Sequence, residues 1–152
     1  MRIQLEDVTA ADVIALLEEH LRNMALHSPP ESVHALDVQS LQSPKIRFWT
    51  VRSGGGELMG CGALKRLDDS HAEIKSMRTA AAHLRKGVAR ELLIHILDAA
   101  RAEGFERVSL ETGSAEPFLP ARSLYSSFGF VYCGPFADYV LDPHSVFMTR
   151  TL

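Results

Sequence analysis

The chain has 152 residues, 46% of them hydrophobic, which is the common size of one domain with one substantial core. Its 23% of charged residues sum to a formal net charge of -3, with a pI near 6.1, so it lacks the basic footprint of a nucleic-acid binder. Two cysteines without ligand spacing, Cys61 and Cys133, suggest neither a disulfide framework nor a zinc site; residues 1–7 carry acids where a signal peptide needs an apolar run, so none is expected, and no run is long and apolar enough for a membrane. The expectation is one cytoplasmic domain over residues 1–152.

In chain order, residues 3–8 read as a strand. Thr9 is the expected N-cap of a helix whose apolar positions Val13, Leu16, Leu17, Leu21 and Met24 keep helical spacing, and Pro29 and Pro30 end it. Residues 31–41 read as a second, less regular helix closed by Pro44. The pattern then changes to alternation: Ile46, Phe48 and Thr50 lead through Ser53, Gly54, Gly55 and Gly56 into a strand over 58–67, a hairpin. Asp68, Asp69 and Ser70 make the next turn. A third strand follows over 71–79, with Glu73, Lys75 and Met77 expected on one face.

The clearest helix spans 85–103, where Val88, Leu92, Leu93, Ile96, Leu97 and Ala100 form one stripe and Gly104 stands at the C-cap position. A strand over 107–111 completes a strand-helix-strand unit, which requires a right-handed parallel crossover. A helix over 120–128 and strands over 130–133 and 146–151 close the chain. The class is α/β, with a mixed central sheet, antiparallel in its first half and parallel at one crossover, flanked by helices.

The junction Arg85, Lys86, Gly87, Val88, Ala89, Arg90 combines small residues with a helix start. First-turn N–H groups there have no intrahelical partner and carry the positive end of the helix dipole; three cations surround them. This reads as an anion seat, suited to a pyrophosphate or a 3′-phosphate. The alternative is a tight helix start with solvated basic residues. Gly54, Gly55 and Gly56 precede a strand and lack a following Lys-Ser/Thr, so they read as a hairpin turn.

With that junction the sequence resembles the GNAT superfamily of N-acetyltransferases. Leu84-Arg85-Lys86-Gly87-Val88-Ala89 matches the small positions of that family's pyrophosphate motif, with Leu84 departing at its first position. Ala72-Glu73-Ile74 leading into Met77-Arg78-Thr79, and Leu124-Tyr125-Ser126-Ser127-Phe128-Gly129-Phe130, stand at family-like spacing. Leu110-Glu111-Thr112-Gly113 and Pro135-Phe136-Ala137-Asp138-Tyr139 are similar to a bacterial subgroup. The resemblance implies the GNAT fold with splayed parallel strands, and acetyl-CoA as cosubstrate without a metal. It also implies transfer to a primary amine, either of a small molecule or of a protein lysine or N-terminus, with a noncatalytic acyl-CoA sensor as the other reading.

By the same resemblance, the backbone of Met77, Arg78 and Thr79 would hold the pantetheine arm, and Tyr125 would protonate the departing thiolate. Tyr125 could instead be a packed core tyrosine with a satisfied hydroxyl. Glu73 would be the base for the amine, with Glu111 as the second candidate. Glu73 reads equally as a half-exposed strand carboxylate paired with Lys75 or Arg66, and Glu111 as a contact for the substrate amine. His20, His27 and His34 recur every seven residues, but the prolines between the last two break a metal-binding face. Phe147 and Met148 on the last strand could support a homodimer.

Overall fold

The computed structural model describes residues 1–152. Seven strands form one mixed sheet in the order β1-β2-β3-β4-β5-β7-β6. They are β1 (Arg2–Leu5), β2 (Ile46–Arg52), β3 (Leu58–Arg66), β4 (His71–Thr79), β5 (Arg107–Gly113), β6 (Val131–Cys133) and β7 (Ser145–Thr151). The helices are α1 (Ala11–His27), α2 (Val38–Leu41), α3 (Val88–Ala102) and α4 (Leu119–Ser127). Only β4 and β5 run parallel. One core, built on α3, gathers Leu92, Leu93, Ile96, Leu97, Ile74, Val108 and Leu110; the other lies under α1 and α2, around Val13, Leu17, Leu41, Phe48 and Ala63.

Several expectations change at the N-terminal end. The first strand stops at Leu5 rather than 8, because Asp7 turns the chain and takes the Thr9 N–H on its Oδ1 at 3.0 Å. Thr9 is therefore not the cap of α1. Ala10 occupies that place without a side-chain bond, and Asp12 instead meets the buried Arg52, at 2.7 Å. Glu6 binds the same guanidinium at 3.0 Å through both oxygens, so one arginine ties β1, α1 and β2 together.

The expected helix over 31–41 is absent. A single 3-10 turn (Pro30–Ser32) leads into an irregular stretch over 33–37, and α2 is one turn capped by Asp37, which accepts the Ser40 N–H at 2.8 Å. Only Ser32 and Leu41 are fully buried in this segment, too sparse a stripe to hold a longer helix against the sheet.

The third strand also departs from simple alternation. Cys61 pairs with Arg78 and Ala63 with Lys75, so β4 fits one extra residue against β3, and Ser76 takes φ +56° to absorb it. Glu73 and Lys75 share a face, but Met77 is turned to the other, where its sulfur lies over Gly62 and it packs on the α3 core. The last strand is interior: β7 pairs with β5 on one side and β6 on the other, and Phe147 and Met148 are buried within the chain. They are core residues and offer no surface to a second copy. No helix is long and apolar enough to cross a membrane, and no group of three or more His, Cys, Asp or Glu side chains is placed to hold a metal ion.

Candidate active site

The parallel pair is registered only from His71↔Arg107 to Ile74↔Leu110. Beyond that point β4 carries the Ser76 bulge while β5 continues straight along β7 as far as Gly113↔Ser145, and the two strands part. A cleft of about 580 Å³ opens between them, walled by α1, α4 and the start of α3. Unpaired backbone of β4 faces this space, as parallel strands that separate leave N–H and C=O groups for a ligand.

At one end Gly87 caps α3 with φ +81°, a conformation that costs glycine little, and nothing would meet a Cβ there within 4 Å. Arg85 also has a positive φ, +62°, so the helix begins at Val88 rather than at 85. The N–H of Glu91 closes the first turn onto the Gly87 carbonyl at 3.0 Å, which leaves the N–H groups of Val88, Ala89 and Arg90 free for an anion. Every candidate residue of the sequence reading lines the cleft except Lys86. Its ammonium lies 3.3 Å from Nδ1 of the buried His83.

Tyr125 is buried to 7% exposure and packs edge-on against Phe130, with ring centroids 5.7 Å apart. Burial pushes its hydroxyl pKa well above the ordinary phenol range, so it holds its proton at neutral pH. Glu73 is buried to 2% exposure. One carboxylate oxygen, Oε2, accepts the Tyr139 hydroxyl at 2.5 Å and the Lys75 ammonium at 3.2 Å, and Lys75 also donates to the Tyr139 oxygen at 2.8 Å. Of the two readings of Glu73, the geometry is that of the carboxylate paired with Lys75, buried rather than half-exposed.

Glu111 is differently placed. Its Oε2 accepts the Ser145 hydroxyl at 2.8 Å, and His34 Nδ1 stands at 3.7 Å, beyond hydrogen-bond length. Burial raises its pKa, only partly offset by Ser145 and the nearby His34 and Lys75. Ser76 and His20 also line the cleft, and Tyr139 reaches it through its bond to Glu73; the sequence reading gives none of the three a catalytic or cofactor-binding role. Tyr139 lay in a stretch noted for its similarity alone, and nothing local distinguishes it from a surface tyrosine. His20 is buried, its Nδ1 has no partner, and burial beside Arg78 lowers its pKa to about 4. Cys61 also lines the cleft, but burial pushes its thiol up to about 12, so it carries no thiolate at neutral pH.

The family model described as "Acetyltransferase (GNAT) family" matches residues 13–130. The chain belongs to this GNAT family. It is 59% identical over 152 residues, all of both chains, to N-acetyltransferase YsnE of Bacillus subtilis (strain 168). A structure of a protein described as an acyl-CoA N-acyltransferase, from Klebsiella pneumoniae, superimposes with a TM-score of 0.81 at 27% identity, over 99% of this chain and 97% of that one. A GNAT acetyltransferase from Elizabethkingia anophelis, solved with acetyl-CoA bound, has the same fold at TM-score 0.72 and 16% identity, over 99% and 97% of the two chains. As a GNAT member the chain is an acetyl-CoA-dependent N-acetyltransferase, and acetyl-CoA is its acyl donor.

Proposed function

We propose that the protein passes the acetyl group directly to a primary amine of a small molecule, with Glu111 as the base for the amine and Tyr125 as the acid for the departing sulfur. The observation that carries this reading is the gap between β4 and β5, which brings an anion seat, Glu111 and Tyr125 to one cleft. The free N–H groups of Val88, Ala89 and Arg90, with Gly87 beneath them and Arg85 and Arg90 lining the same cleft, would hold the pyrophosphate. The backbone of Met77, Arg78 and Thr79 would bond the pantetheine arm.

The amine nitrogen attacks the thioester carbon, the carbon-sulfur bond breaks, and its electron pair leaves on sulfur. Glu111 receives the ammonium proton and Tyr125 gives one to sulfur, leaving an N-acetylated product and free CoA. A carboxylate of ordinary pKa near ~4.3 is a weak base for an ammonium near ~10.4, and the raised pKa of Glu111 narrows that gap. Glu73, one oxygen of which is already bonded to Lys75 and Tyr139, is the weaker candidate. The protonated Cys61 supports direct transfer over a cysteine-bound acyl group.

A small acceptor is favoured over a protein lysine because the 28–41 segment and the 134–144 loop close on each other: Ser32 donates to Asp142 at 2.5 Å, and the His34 and Tyr139 rings meet with centroids 5.1 Å apart. The test is thiol release from acetyl-CoA with a panel of small amines and peptides, comparing wild type with Tyr125→Phe. Loss of the acid should lower kcat by about 10² to 10⁴-fold with acetyl-CoA affinity held. The deficit should shrink at high pH, since a thiolate near pKa ~8.5 can leave unassisted. Normal turnover by the variant, with chemistry limiting, would return Tyr125 to the core.

A further inference from the structure

A second cavity, of about 590 Å³, lies on the α1 face of the sheet and shares Glu73 and Lys75 with the cofactor cleft as a common wall. Its lining is uneven in charge. The chain has four lysines, and three of them, Lys45, Lys65 and Lys75, line this cavity; the fourth, Lys86, stands at the pyrophosphate junction. The other cationic side chains of the chain are twelve arginines, of which only Arg66 lines this cavity.

The partners of these groups decide what the cavity can hold. Lys75 is committed to Glu73 and Tyr139. Arg66 stacks on Phe105, 4.6 Å from the ring centroid, and reaches Asp69 at 3.6 Å. Asp68 is taken by its own turn, accepting the N–H groups of Ser70 and His71 at 2.8 and 2.7 Å. Lys65 is the telling case: its backbone pairs directly with Glu73, side chains on one face, yet Glu73 bonds Lys75 instead. Lys65, half-buried, and Lys45, exposed at the mouth, thus have no carboxylate partner, and of the acids in the wall only Asp138, exposed at the rim, is uncommitted.

We propose that this cavity is an anion-binding subsite for the acyl acceptor, so that the acceptor is a small amine that also carries a carboxylate or a phosphate. The inference rests on the acyltransferase reading above and gives its acceptor a chemical class. The anionic end is held by Lys65 and Lys45, and the amine crosses the shared wall toward Glu111. The volume suits a small molecule, since ligand pockets run from about 300 to 1,000 Å³. The substrate is thus oriented by charge at both ends: cations at its acidic group, a carboxylate at its amine.

The experiment pairs binding with turnover in the full chain. Calorimetry in the presence of CoA measures ω-amino carboxylates, ω-amino alkyl phosphates and inorganic phosphate, with alkylamines of equal length as controls; thiol release follows the same amines. The acids should bind and should exceed the matching alkylamines by about ten-fold or more in kcat/KM, and Lys65→Met should cut that ratio by a similar factor, with Lys65→Arg restoring most of it. Preference between the two acid series identifies the anion. Acids that bind, lose binding in Lys65→Met and release no thiol would leave the subsite standing and sink the acyl-acceptor reading. Thiol release as fast with alkylamines, or acids that bind no better than alkylamines, would overturn the subsite and leave the acyltransferase reading intact. A melt of each variant separates lost binding from lost fold.

Discussion

At the scale of single residues, the two carboxylates of the site differ in their partners. Glu73 balances a buried ammonium: the Lys75 side chain is only 8% exposed. Removing the charge from one member of such a pair strands the other, at a cost of about 3 to 5 kcal/mol in well-buried cases. Glu73→Gln should therefore lower Tm by several degrees, read in a thermal melt. Glu111 balances no such charge. Glu111→Gln should melt close to wild type but lose kcat by about 10²-fold at neutral pH. Because burial raises the Glu111 pKa, the acid limb of the wild-type kcat profile should have its midpoint above the ordinary carboxylate value and vanish in the variant. A Glu111→Gln enzyme with full kcat, or a Glu73→Gln protein with an unchanged Tm, would reverse the assignment.

At the scale of elements, β3 sets how closely α3 can approach the sheet. Gly60 and Gly62 point to the α3 side, and their missing side chains are space that α3 and Met77 occupy. A Cβ on Gly60 would come within 2.9 Å of both the Arg78 carbonyl oxygen and Cγ1 of Val88, the first residue of α3. Gly60→Ala should therefore shift both β4 at Arg78 and the start of α3. Overpacking of this kind costs about 1 to 3 kcal/mol, and acetyl-CoA should bind more weakly as well. Gly54→Ala is the control: it stands in the hairpin turn with nothing within 4 Å. Melts and acetyl-CoA titrations of the two variants should separate clearly; equal behaviour would mean that the contact at Gly60 does not position the seat. The sequence pattern disclosed a strand and a helix here, but not that two glycines meet the helix.

At the scale of the whole molecule, α1 lies across the bulged end of β4 and buries His20 beside Arg78, neutral at pH 7 with a pKa lowered to about 4. An unfolded chain protonates this histidine near pH 6.5 while the folded one does not, so the unfolded state binds more protons between those values. Stability from this group is full above the unfolded pKa and falls as pH drops toward 4. Between pH 7 and 5 the loss is about 2 kcal/mol, or several degrees of Tm. His20→Gln should flatten that decline in melts taken at both pH values; an unchanged slope would place the acid sensitivity elsewhere.

Local pattern carried most of the architecture. Alternation at Ile46, Phe48 and Thr50, the apolar stripe of α3, and the strand-helix-strand order were enough for a mixed α/β sheet, and the small residues at Gly87 and Ala89 marked the loop-to-helix junction that opens α3. Periodicity reports which face of an element is buried, and a short motif reports backbone geometry, so both are written in neighbouring residues. The bulge at Ser76, the interior place of β7, the bond from Tyr139 to a glutamate 66 residues away, and the gathering of three lysines about one cavity were decided only in three dimensions. Each depends on which distant strand or loop arrives beside which, and that is set by the packing of both faces of the sheet at once, a quantity no local window of sequence contains.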